Sequence, residues 1–424
     1  MSPAASLLCV LLIPLASAGL ALIHQGLGRS RSAGHSMFST LCALSVTAIV
    51  FVALGSAWAG HPGGLAHLVQ LSGRSWNVLG AEPLLGANLR PGAAKQDGVL
   101  LLFVLQMFAV GVASLIPISA GTDRWRLVSV CASSAVLAGL LYPIFAHAVW
   151  GLGVLAQLNS LFGLPPFVDG GAGAVQTVGG LSALSIAWVL GPRHGKYSGE
   201  VATAIPGHNI VLVLFGCLLA LAGWIGLSGA IVSLVYGGTE DQLAWIVINT
   251  MLSAAGGFIA AVLITQWRYR KPDASLSANG WVAGLVAGSA GLGRISPLAT
   301  IFVGLVAGLL VTLLVEALEL KLYIDDPGGA VSVHAGAGLW GLLAYGIFAP
   351  TTGPRIELIL AQLIGIAALL GLMLPLIYGS HLLLDRVLRS RVDDDGDWQG
   401  MDIRELGAGA YPEFVVHSDD FVPR

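Results

Sequence analysis

About eleven apolar stretches follow one another along this chain, and that repetition leaves few folds open. A helix rises 1.5 Å per residue, so about 20 apolar residues cross the ~30 Å hydrocarbon core of a bilayer. The stretches fall near 5–25, 37–59, 99–120, 127–150, 171–190, 209–236, 242–266, 278–293, 297–319, 328–349 and 357–384. The eighth is short and glycine-rich. Composition agrees: of 424 residues, 56% are hydrophobic and only 10% charged, against roughly 25% charged in an average soluble domain. So few charges could not cover a water-soluble protein of this length, and a chain this apolar is not a disordered one. The expected fold is an all-α polytopic membrane protein. Residues 1–384 form its transmembrane domain, and 385–424 form a polar, acidic tail carrying Asp393, Asp394, Asp395 and Asp397.

The first stretch ends in Ala16-Ser17-Ala18, a small-residue pattern shared with signal peptides. No basic residue precedes it, however, and Arg29 and Arg31 follow it. It reads as a retained helix. Charge bias then sets the orientation. With the N-terminus outside, fifteen Lys and Arg lie on the cytoplasmic side and five outside, three of these (Arg74, Arg90, Lys95) in one long loop. The tail is therefore expected in the cytoplasm, in a cell inner membrane. A net charge of −3 gives no footprint for nucleic acid. Cys9, Cys42, Cys131 and Cys217 sit singly in apolar runs, as buried thiols do.

Segments five and ten echo one another. Val175-Gln176-Thr177-Val178-Gly179-Gly180-Leu181 and Val333-His334-Ala335-Gly336-Ala337-Gly338-Leu339 share the pattern V-[Q/H]-x-x-x-G-L. They lie five spans apart, an odd number, so the second runs inverted. A five-plus-five inverted repeat is a common transporter plan. Small-residue spacing also recurs for packing alone, but here it coincides with two polar residues inside apolar helices.

Polar side chains at membrane depth usually face a bundle interior or a pore. His334 leads, with Gln176 as its repeat mate. Gln106 lies in segment three, His147 and Trp150 near the outer end of segment four, and Asn249 in segment seven. Glu316 lies close enough to the inner end of segment nine to reach the interface. Each has a plain packing reading, as a side chain bonded to a neighbouring helix, and Trp150 alone would fit an interfacial belt. Together they trace a path from an aromatic mouth to deeper Gln and His. An aromatic face attracts a small cation, and a neutral imidazole accepts a proton or a hydrogen bond. The residues point to a small nitrogenous cation or its neutral form. No nucleophile–base pair, phosphate loop or metal cluster is read, so catalytic residues, cofactor and metal are expected to be none.

From the first segment to the tail, the chain resembles the ammonium transporter family (the Amt/Mep/Rh group), on its Amt side. The resemblance rests on Gly19-Leu20-Ala21-Leu22, Gly26-Leu27-Gly28-Arg29, His147-Ala148-Val149-Trp150-Gly151 and Val189-Leu190-Gly191-Pro192-Arg193. It continues through His208-Asn209, Gly223-Trp224-Ile225-Gly226, Ile248-Asn249-Thr250, Ile324-Asp325-Asp326-Pro327 and Val333-His334-Ala335-Gly336. In the tail it rests on Gly400-Met401-Asp402-Ile403 and Ala410-Tyr411-Pro412. It implies a homotrimer of eleven-helix protomers in the lipid bilayer, each with its own pore for ammonium or ammonia. It also implies an external aromatic site, two gate phenylalanines, paired pore histidines and a tail on which a PII-type signalling protein docks.

Carried over residue by residue, the resemblance makes Trp150 the external aromatic and His334 the second pore histidine. Gln176 stands where the first histidine is expected. Ala109 stands at the outer gate phenylalanine with Phe108 one place away, and Leu227 stands at the inner one. Ile231 replaces a supporting serine. The aspartate near the start of segment five is out of register, with Asp169 one residue along. In the tail, Leu406 and Ala408 replace the usual His and Glu. The expected substrate site is therefore Trp150, Phe108 and Gln106, with His334, Gln176, Leu227 and Ile231 lining the pore. Gln cannot relay a proton by titrating. Transport is the leading expectation, and an ammonium-binding sensor with a weakly conducting or closed pore is the alternative.

Overall fold

The computed structural model describes residues 1–71, 73–87, 97–199 and 201–412. Arg90, Lys95 and the tail end from 413 lie outside the described residues. The main helices are α1 (Pro3–Leu27), α2 (Ser30–Ala59), α3 (Gly98–Gly121), α4 (Leu127–Trp150), α5 (Ala172–Leu190), α6 (Ile210–Leu234), α7 (Glu240–Tyr269), α8 (Ala274–Ser289), α9 (Pro297–Lys321), α10 (Val331–Phe348) and α11 (Arg355–Leu388). Ten of these, among the described residues, are long and apolar enough to cross a membrane. The exception is α8, with 16 residues, or ~24 Å of helix.

The eighth stretch sits four residues earlier than the hydropathy indicates. Asp273 caps it, accepting a hydrogen bond from the Leu276 N–H at 2.8 Å, and a capping carboxylate satisfies an otherwise orphaned donor. Polar Ser275, Ser277 and Asn279 thus belong to its first turns. Beyond Ser289 the chain turns through Leu292 (φ 51°) and Gly293 (φ 66°). Helices α7, α8 and α9 meet at backbone distance around Gly257, where a side chain would strike Gly280. Small residues provide such contacts in lipid, where no hydrophobic force drives helices together.

The long loop after α2 contains an antiparallel hairpin, β1 (Ala66–Leu71) and β2 (Arg74–Gly80), with a bulge between His67 and Leu68. Asn77 ties it down: its amide donates to Leu152 O at 2.9 Å, and His147 Nε2 lies 2.7 Å from its Oδ1. His147 therefore anchors the hairpin.

The two halves meet along α5 and α10. A Cβ at Gly180 would strike the Ala335 backbone, and a Cβ at Gly338 would strike Thr177. Gly180 and Gly338 are equivalent in the echo, as are Thr177 and Ala335, so the contacts are reciprocal, as a two-fold relation requires. Both helices open with a π-helical turn, Ala172–Thr177 and Val331–Gly336, a feature frequent at functional sites.

Acidic tail residues hold the tail to the helix bundle. Asp402 accepts from the Gly34 and His35 N–H groups at the start of α2, at 3.1 and 2.7 Å. Glu405 accepts from the Leu127 N–H at the start of α4, at 2.7 Å. Helix N-termini favour negative charge. Asp397 is buried and accepts from Arg29, Arg391 and the His194 N–H.

Candidate functional site

The centre of the molecule is the pair Gln176 and His334, both fully buried. His334 Nδ1 lies 2.8 Å from Gln176 Oε1. An amide oxygen only accepts, so Nδ1 carries the hydrogen, and the neutral ring keeps a lone pair on Nε2. Gln176 Nε2 has no hydrogen-bond partner.

One face of α6 runs beside this pair. Trp224, Leu227, Ser228 and Ile231 follow helical spacing and are all buried. The Trp224 ring centroid lies 6.5 Å from that of His334. Seven residues on, about 10 Å along the helix, Ile231 reaches Gly171, where a Cβ would come within 3.1 Å of its Cδ1 and 4.0 Å of Leu227. Leu227 and Ile231 thus cover the start of α5 with aliphatic side chains.

Asp169 organises that start. Its carboxylate accepts from the N–H groups of Gly171, Gly173 and Ala174 at 2.7–2.9 Å. Gly171 has φ 104°, a conformation glycine adopts without strain. The Asp169 carbonyl receives Trp150 Nε1 at 3.0 Å and the Tyr236 hydroxyl at 3.2 Å. Counting along the sequence places Asp169 one residue out of register, yet it makes the capping bonds. Asp326 makes the matching bond in α10, accepting from the Val331 N–H at 2.7 Å. Val331 is the echo partner of Gly173.

Trp150 is 1% exposed, its ring edge-on to Tyr142 at 6.5 Å. Tyr142 in turn meets Phe51, and Phe51 meets Phe103 at 5.6 Å. Gln106 donates to Gly60 O at 3.2 Å and, with Phe51 and Phe103, lines a cavity of about 30 Å³. A chain of aromatic rings thus runs from Trp150 to the cavity that Gln106 lines. Phe108 is half-buried on α3, whereas Ala109 beside it is fully buried. Asn249 donates to Ile295 O, and Glu316 pairs with Arg268; both are packing contacts.

The sequence reading passed over His24. It is 3% exposed, and its Nδ1 has no hydrogen-bond partner among the described residues. The rule that singled out His334, an ionisable residue inside an apolar span, applies equally to it. Its place near the end of the first stretch, five residues before Arg29, hid it.

On the tail side, a cavity of about 500 Å³ is lined by Leu27, Arg193, Asn279, Asp325, Asp326 and Gly329, among others. Beneath it, Arg193 grips Asp325 through Nε at 2.9 Å and Nη2 at 3.0 Å, and reaches Asp123 at 3.0 Å. Burial raises the Asp325 carboxyl, but Arg124 and Arg193 outweigh it and hold it well below the usual carboxylate range. Asp326 makes no salt bridge among the described residues. Burial pushes it up to about 6 against the N–H bonds it accepts.

Inverted halves, discontinuous polar centres in short helices and a cavity opening toward one face define a multi-pass membrane protein of the transporter type. The chain belongs to the Ammonium Transporter Family, whose sequence profile matches residues 4–411. It is 31% identical to the ammonium transporter Amt2 of Archaeoglobus fulgidus, over 97% of this chain and 88% of that protein. It is 28% identical to an ammonium transporter of Bacillus subtilis, over 96% and 97%. Among solved structures, the fold matches a sensor Amt protein (TM-score 0.85, 24% identity, covering 95% of this chain and 97% of that one). It also matches Candida albicans Mep2 (TM-score 0.79, 22% identity, covering 100% and 94%).

Proposed function

We propose that this chain carries ammonium or ammonia through a pore in each protomer of a homotrimer, with Gln176 and His334 at the narrowest polar point. The observation that carries this is the pair itself. A titratable ring with a free lone pair is held in one tautomer where the two halves cross, beside a lining face of α6. The named relatives, ammonium transporters, support the substrate. In this reading the protein lies in the cell inner membrane with its N-terminus outside and its tail in the cytoplasm, in keeping with the bias of basic residues. A PII-type protein docks on the tail face, where acidic residues pin the segment 393–406 against the bundle. Pull-down with and without residues 393–424 tests that docking, and equal recovery removes the tail from it.

A second reading, an ammonium-binding sensor, is favoured by the aliphatic cover of Leu227 and Ile231 over Gly171 and by the burial of Trp150. Uptake of radiolabelled methylammonium into proteoliposomes, measured beside calorimetric ammonium binding, separates the two. Transport predicts uptake above protein-free vesicles. The sensor predicts binding without uptake.

A further inference from the structure

Gln106 leaves one polar atom unexplained. The residue is 3% exposed and its Nε2 donates to Gly60 O at 3.2 Å, yet its Oε1 is buried without a hydrogen-bond partner among the described residues. A buried acceptor is costly to leave open, and a small guest beside it removes that cost. There is room for one. Gln106 lines the cavity of about 30 Å³ together with Phe51, Gly60, His61, Glu82 and Phe103. That volume takes one or two water-sized guests, each needing roughly 10–15 Å³.

The lining decides which guest. Its side-chain donors are already turned to acceptors: Gln106 Nε2 to Gly60 O, and Ser56 Oγ to Val52 O at 3.3 Å. Both His61 nitrogens likewise lie beside acceptors, Pro62 O at 3.1 Å and Glu82 Oε1 at 3.4 Å. What the cavity offers is acceptors and negative charge, from Gln106 Oε1 and the Glu82 carboxylate, beside the rings of Phe51 and Phe103. Ammonium is a guest that only donates, and aromatic faces attract a small cation. Water must also find donors for its lone pairs.

Trp150 takes no part in this cavity. The Tyr142 ring stands between Trp150 and Phe51, at 6.5 and 6.4 Å, and Trp150 Nε1 is held by Asp169 O. Helix α2 begins where Asp402 of the tail is bound and ends at Ala59, so Gly60 and the cavity lie on the face opposite the tail.

We propose that this cavity is an ammonium site separate from the Trp150 mouth. Gln106 Oε1 and the Glu82 carboxylate accept N–H groups of the ion, and Phe51 and Phe103 form its aromatic wall. The proposal rests on ammonium being the substrate. It gives the ion a place ahead of Trp150, whose ring is 1% exposed.

The test is the side-chain amide ¹⁵N signal of Gln106 in labelled full-length protein in lipid vesicles, identified by its loss in both Gln106→Glu and Gln106→Met. Ammonium chloride is expected to shift the signal saturably, and potassium chloride at equal ionic strength to leave it in place. Glu82→Gln keeps the size of the side chain and removes its charge. It is expected to raise the half-saturating ammonium concentration at least threefold. A signal that ignores ammonium, as in a cavity that holds only water, overturns the proposal. An equal shift with potassium chloride, or a smaller rise in Glu82→Gln, does so too. A silent Gln106 signal in protein that still takes up or binds ammonium removes this site alone. Wild-type protein that neither takes up nor binds ammonium contradicts the proposed function, and the site falls with it.

Discussion

Gln176 and His334 are 158 residues apart in the chain and 2.8 Å apart in the structure, each on the π-helical first turn of its own helix. The hydrogen bond is the only polar tie that either side chain makes among the described residues, so each substitution has a defined consequence. Gln176→Leu strands the His334 Nδ1–H, at about 1–3 kcal/mol, and frees the ring to rotate or change tautomer. Ammonium flux is expected to fall about tenfold, whereas Gln176→His should preserve or raise it. Tracer uptake by the two variants in parallel checks the pair.

The reciprocal contact of the halves makes Gly180 intolerant of a methyl group. Gly180→Ala forces α5 away from the Ala335 backbone and is expected to destabilise by about 1–3 kcal/mol, the range for overpacking. At Gly371, on α11, a Cβ would meet nothing within 4 Å, so Gly371→Ala serves as the control. Thermal unfolding in detergent should show a lowered midpoint for the first and little change for the second.

Much of this was legible in the sequence, because bilayer thickness turns apolar run length into helix count. The echo at Gln176 and His334 exposed the repeat, since small residues mark helix crossings. Pattern reading failed where short-range chemistry overrode hydropathy. Asp273 starts α8 amid polar residues, and the flexible Gly170-Gly171 step lets Asp169 cap α5 despite its displaced register. His24 was missed because its span carries no echo of it.

Asp325 and Asp326 are adjacent and should respond to pH in opposite senses. The Asp325 carboxyl is depressed in the folded protein, so its stabilisation is present above the ordinary aspartate value near 4 and is lost as pH falls below it. Asp325→Asn leaves Arg193 and Arg124 short of a buried partner and is expected to cost about 3 kcal/mol at neutral pH. The Asp326 carboxyl is raised to about 6, so its effect on stability is lost as pH rises from near 4 through 6. Asp326→Asn should therefore match wild type near pH 4 and exceed it above pH 6. Unfolding midpoints of the three proteins across that range decide both.

The tail is held by Asp397, whose carboxylate gathers Arg29, Arg391 and the His194 N–H. Asp397→Ala should loosen it, and limited proteolysis within 393–406 should accelerate several-fold. Asp395 is exposed on the same segment. In a background lacking the four cysteines, Asp395→Cys should resist a membrane-impermeant maleimide in intact cells and react after lysis. Labelling in intact cells would reverse the proposed orientation.

Passage of ammonium through the Gln176–His334 centre is the claim on which the other predictions of flux depend. Stopped-flow recording of internal pH, after an ammonium gradient is imposed on proteoliposomes, measures it directly. Wild-type vesicles should change internal pH faster than protein-free vesicles, and His334→Ala should abolish that excess or reverse its sign. Wild-type traces that coincide with protein-free traces and with His334→Ala would contradict it.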